Sequence, residues 1–68
     1  MNFIIRHEHT KKHCISAYHN LSTNTYITVL CLLNGDEHII ERSYDFSKKG
    51  SALKCYHELL EEVKNEKI

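Results

Sequence analysis

Asn34-Gly35 lies between two runs of β-prone residues in the stretch TYITVLCLLNGDEHIIERSY, residues 25–44. An Asn-Gly pair so flanked is the strongest short-range signal for a β-hairpin. Both central positions of a type I′ turn need positive φ, which Asn and Gly tolerate and most residues do not. A two-residue loop there predicts a register: Leu33 opposite Asp36, Cys31 opposite His38, Val29 opposite Ile40 and Ile27 opposite Arg42. One face of the hairpin then carries Ile27, Val29, Cys31, Leu33, Ile40 and Tyr44. The other carries Tyr26, Leu30, Leu32 and Ile39 among Thr28, Glu37, Glu41 and Ser43.

A sheet with one wet face alternates apolar and polar residues. From Tyr26 to Leu33 only Thr28 interrupts an apolar run, so both faces of this strand call for a cover. The chain offers one obvious cover. After Asp45-Phe46-Ser47 the apolar period changes from two to about 3.6, and Ala52, Leu53, Tyr56, Leu59, Leu60 and Val63 form a helical stripe. Asp45 or Ser47 is a candidate N-cap, with Ser51 the fallback because Gly50 would weaken the first turn. A helix of about 15–18 residues is roughly 23–27 Å long and covers one sheet face. The expectation is that it closes the Val29/Ile40 face.

Upstream, Asn2 to His9 and Lys11 to His19 read as two further strands. Thr10-Lys11-Lys12 as a three-residue connection would set His9 opposite His13, His7 opposite Ile15 and Ile5 opposite Ala17. One long bent strand is the alternative. Asn20 to Asn24 (NLSTN) is a polar loop dense in turn formers. The predicted fold is therefore α+β: a single domain over residues 1–68, an antiparallel meander of three or four strands, and one C-terminal amphipathic helix packed on one sheet face.

Composition bounds the function. Nine basic and nine acidic residues cancel, which argues against strong sequence-independent nucleic-acid binding, since that affinity comes from phosphate neutralisation. No run approaches the ~18 apolar residues of a membrane span, and MNFIIRHEH lacks the apolar core of a signal peptide. Three widely spaced cysteines form no disulfide framework, so free thiols in a reducing cytoplasm are expected. The absence of Pro and Trp and the abundance of Ile, Asn, Lys and Tyr are common in products of AT-rich genomes, including phages.

Chemistry-bearing constellations are few. His7, His9, His13 and Cys14 would lie close if the first hairpin is tight, and converging imidazoles can bind zinc. Their spacing fits no standard ligand pattern and the chain is rich in histidine throughout, so no metal or other cofactor is expected. His57-Glu58 opens like a zinc-protease helix, but position 61 is Glu61 where the second histidine belongs. Cys55 and His57 sit about 200° apart on a helix and cannot act as nucleophile and base. No catalytic residue is expected, and the chain is not expected to be an enzyme.

What is left is an apolar sheet face without a cover. Tyr26, Leu30, Leu32 and Ile39, bordered by Glu37 and Glu41, form the expected protein interface, with another protein or a second copy as partner. The expected function is a small protein-binding module, of the kind phage and mobile-element accessory proteins use to inhibit host defence systems. The alternative is a compact single-stranded nucleic-acid binder, using Lys11-Lys12, Lys48-Lys49 and tyrosines for backbone contact and stacking. A four-stranded meander closed by one helix resembles single-stranded-DNA-binding folds, but a fold alone carries no function.

Overall fold

The computed structural model describes residues 2–65. Four antiparallel strands form one sheet in chain order, β1 (Asn2–His9), β2 (His13–Asn20), β3 (Thr25–Asn34) and β4 (Glu37–Phe46), followed by one helix, α1 (Lys49–Lys64). This is the expected α+β meander with a terminal helix, and residues 2–20 form a hairpin rather than one bent strand.

Both outer hairpins differ from the predicted register, and each difference has a local cause. In the β3–β4 hairpin Asn34 pairs with Glu37, so the two loop residues are Gly35-Asp36. Gly35 takes φ +63°, while Asp36 is not among the residues with positive φ. That is the φ pattern of a type II′ turn, which wants Gly at its first central position and makes no demand on the second. Asn34 therefore stays in the ladder. Cys31 pairs with Ile40, not His38, and Leu33 pairs with His38. Beyond Leu32/Ile39 and Cys31/Ile40, Glu41 is an extra residue on β4, and Leu30 then faces Arg42, Thr28 faces Tyr44 and Tyr26 faces Phe46. This β-bulge moves Tyr44 from the Val29 face, where it was expected, to the opposite one.

In the β1–β2 hairpin, Thr10 N–H donates to His13 O at 2.8 Å and His13 N–H donates to the Thr10 hydroxyl at 3.1 Å. These bonds leave Lys11-Lys12 as the turn, one residue tighter than expected. His9 now opposes Cys14 and His7 opposes Ser16. A one-residue slip exchanges faces, so His13 is separated from His7 and His9. A second bulge at Ile5 restores the predicted alignment further out, with Ile4 opposite Tyr18 and Phe3 opposite His19.

The helix closes the face that was expected to be open. Ile15, Ala17 and Leu30 are each 0 % exposed beneath Tyr56, Leu59 and Val63, with Leu53, Cys55 and Leu60 packed around them. The stripe predicted on α1 is the stripe that packs; the face it packs on is reversed. Ala17 and Thr28 are cross-strand partners, and both are small and fully buried. They form a shallow seat in which Ala52 is also fully buried, and the Thr28 hydroxyl donates to the Ala52 carbonyl at 2.8 Å. The other face presents Ile27 and Val29, whose branched side chains would hold a helix further off. α1 itself starts without help: Lys48 is its N-cap with no side-chain capping bond, so Asp45, Ser47 and Ser51 do not cap it, and Gly50 lies in its first turn. Its length comes from packing, the usual origin of helix stability in proteins.

Candidate functional site

The register divides the sheet plainly. Under the helix lie His13, Ile15, Ala17, Thr28 and Leu30, while the opposite face carries Ile4, Tyr18, Ile27, Val29, Leu33 and Ile40. Ile4 is 62 % and Ile40 64 % exposed, and Tyr18, Ile27, Val29 and Leu33 are half-buried. No helix or loop packs over these residues among those described.

This corrects the expected interface. Leu30 is a core residue, and Tyr26 and Leu32 share its face; both are half-buried, and Tyr26 is stacked on His19 with ring centroids 4.3 Å apart. Ile39 is on that face too, opposite Leu32, and 43 % exposed. Glu37 is exposed beside the turn. Glu41 sits in the bulge and turns toward the helix side, where its carboxylate lies 3.3 Å from Nε2 of the buried His13. The residues named share the helix face, and with Leu30 buried beneath the helix they form no single open surface.

At the end of the open face formed by the β1–β2 and β3–β4 turns, the structure assembles a cluster. His7, His9 and Cys14 place one ligand atom each within 4.8 Å of one another. His7 Nε2 is 3.0 Å from His9 Nε2, and Cys14 Sγ lies 3.6 and 3.7 Å from the two ring nitrogens of His7. The Ser16 hydroxyl is 2.7 Å from His7 Nδ1. Cys14 and Ser16 are both 3 % exposed, whereas the imidazoles are open to solvent. Cys31 is Cys14's direct partner across the β2–β3 ladder. Burial pushes the Cys31 thiol above its usual range, and Cys14 beside it adds to the effect. His38 joins the edge of the group, its ring 6.5 Å from that of His9.

Ser16 is a neighbour of His7 that the sequence reading does not find, and Cys31 lies beside Cys14 rather than opposite His38 as expected. The signal was present, since His-x-His on one strand and Cys-x-Ser on the next pair residue for residue once Lys11-Lys12 is taken as a two-residue turn.

Between β4 and α1, Arg42, Tyr44, Cys55, Glu58, Leu59 and Glu62 line a cleft of about 230 Å³. Its one unusual atom is Glu62 Oε2, buried with no hydrogen bond and 3.8 Å from Arg42 Nη1, which is ion-pair distance but too long for a hydrogen bond. Burial, then Glu58, raises the Cys55 thiol. A thiol so held is protonated near neutrality and a poor nucleophile.

No helix among the described residues is long and apolar enough to cross a membrane. In comparisons with known proteins the chain matches no family model, no curated protein and no solved structure.

Proposed function

We propose that this chain is a small, non-catalytic protein-binding module that docks through the sheet face opposite its helix, and that the occupant of that face is a second copy of the chain. The observation that carries this reading is the apolar surface of Ile4, Ile27, Val29, Leu33 and Ile40, over which none of the described residues packs. Contiguous exposed apolar patches mark interaction sites on soluble proteins. The two ends of the face favour self-pairing. His7, His9 and His38 stand at one end, and Asp45, opposite Ile27, stands at the other. A two-fold axis lying across the strands brings the imidazole end of one copy onto the carboxylate end of the next. With nine charges of each sign, two copies do not repel as whole molecules.

Free thiols and small size support a cytoplasmic accessory role, and composition supports a phage or mobile-element origin, with occlusion of a host defence protein as the biological outcome. Self-association comes first in testing. Sedimentation equilibrium across micromolar concentrations should show a monomer–dimer equilibrium. A monomer mass at every concentration up to the millimolar range would overturn the homodimer.

A further inference from the structure

We infer that His7, His9 and Cys14 form a zinc-binding site on the open face of the sheet; Cys31, the cross-strand partner of Cys14, lies outside this group and would have to move in to take the fourth position. Geometry carries this. Two imidazole nitrogens bound to one tetrahedral zinc at 2.0–2.1 Å lie about 3.3 Å apart, and a nitrogen and a thiolate sulfur sharing it lie about 3.6 Å apart. The Nε2 atoms of His7 and His9 are 3.0 Å apart, and Cys14 Sγ is 3.7 Å from His7 Nε2. These two separations are already within a few tenths of an ångström of the coordinated values, and the third, His9 to Cys14, lies within 4.8 Å and closes on binding. Sγ lies almost equally far from both nitrogens of the His7 ring, so binding needs a tilt of this exposed ring about its Ser16 contact to bring the Nε2 lone pair onto the shared point.

Ser16 supplies the orienting contact that metal-bound histidines ordinarily have. With His7 Nδ1–H donating to Ser16 Oγ at 2.7 Å, Nε2 is the atom left bare to bind. Ser16 is buried and held in β2, so this contact is built into the strand. Zinc entry displaces the Cys14 thiol proton to solvent. His7 binds through its bare Nε2, and His9 does so after its Nε2–H, which bridges to His7 in the metal-free pair, moves to Nδ1 of its own ring; coordination therefore releases one proton for Cys14 and a second if Cys31 completes the tetrahedron. The donor set of two imidazoles with one or two thiolates is characteristic of zinc, since softer thiolate and borderline imidazole ligands disfavour magnesium and calcium. His13 contributes nothing, because it faces the helix and pairs with Glu41.

The site is tested on the chelator-treated, reduced full chain by calorimetric titration with Zn²⁺, and by the absorption spectrum after titration with Co²⁺. One equivalent of Zn²⁺ should bind, and Co²⁺ should give the intense visible bands of a tetrahedral site plus thiolate charge transfer. His9→Asn removes a ligand at a solvent-exposed position, so the fold survives while zinc affinity falls by at least about 100-fold. Ser16→Ala should lower affinity about 10–100-fold by freeing the His7 ring. His57→Asn, on the exposed side of the helix, should change nothing and serves as the control. Absence of stoichiometric binding overturns the site. So does binding that His9→Asn leaves intact in a protein with unchanged circular dichroism. Neither outcome bears on self-association, which is read on metal-free protein.

Discussion

Leu30→Glu should leave no folded protein: a far-ultraviolet spectrum without the native sheet and helix signal, and no cooperative thermal transition. Leu30 is fully buried between Ile15 and the helix residues Tyr56, Leu59 and Val63. A carboxylate placed there has no counter-charge and no hydrogen-bond partner, a cost of several kcal/mol after relaxation. A domain of this size has roughly 3–10 kcal/mol to lose. The graded version is Leu30→Ala, which should cost about 2–5 kcal/mol by removing apolar contact and leaving a cavity. Leu30→Met keeps the volume and should cost less than about 1.5 kcal/mol. A Leu30→Glu protein that melts like the parent would mean that the helix covers the other face after all.

Ile40→Glu should do the opposite. Ile40 is 64 % exposed on the uncovered face, on the edge strand β4. Surface substitutions away from buried features usually stay within about 0.5 kcal/mol, so the variant should fold and melt close to the parent. Two-fold packing buries this residue in the interface in both copies, where a desolvated carboxylate weakens the contact. Loss of such a contact costs about 2–4 kcal/mol, so the dimer dissociation constant should rise roughly 30–1,000-fold. A folded variant that dimerises like the parent would remove this face as the interface. The pair of substitutions separates folding from docking, because Leu30 and Ile40 are ten residues apart in sequence and on opposite sides of one sheet.

The gross fold was legible because its signals are periodic. Alternation and turn residues mark the strands, and the spacing of Ala52, Tyr56, Leu59 and Val63 marks the buried side of the helix. The face that each residue nearest the Asn-Gly turn takes was legible, but the sides of His13 and Tyr44, set by one residue in a turn or a bulge, and the choice of covered face were not. At Asn34-Gly35-Asp36 the preference of the pair for a type I′ turn yielded to a type II′ pattern one residue later. That shift alone moves the pairing by two and preserves parity. The bulge at Glu41 then adds one residue, and Tyr44 changes sides. In the first hairpin the Thr10 hydroxyl closes the turn one residue early, which carries His13 to the helix side and leaves Cys14 beside His7 and His9. The cluster of the four named residues was thus visible as a neighbourhood, but its membership follows from a two-residue turn that the Thr10 hydroxyl selects over the three-residue one. The choice of covered face rests on Ala17 and Thr28, whose small size matters only once they are known to be partners across β2 and β3.

One sheet face is sealed by the helix, and the other is proposed as a docking surface for a second copy. Methyl nuclear magnetic resonance on metal-free protein, followed through a dilution series, reads both faces in one measurement. The claim predicts that methyl signals of Ile4, Ile27, Val29, Leu33 and Ile40 shift with concentration, while those of Ile15, Leu30, Leu59 and Val63 stay fixed. Open-face signals that hold still on dilution, or core signals that move with them, would contradict it.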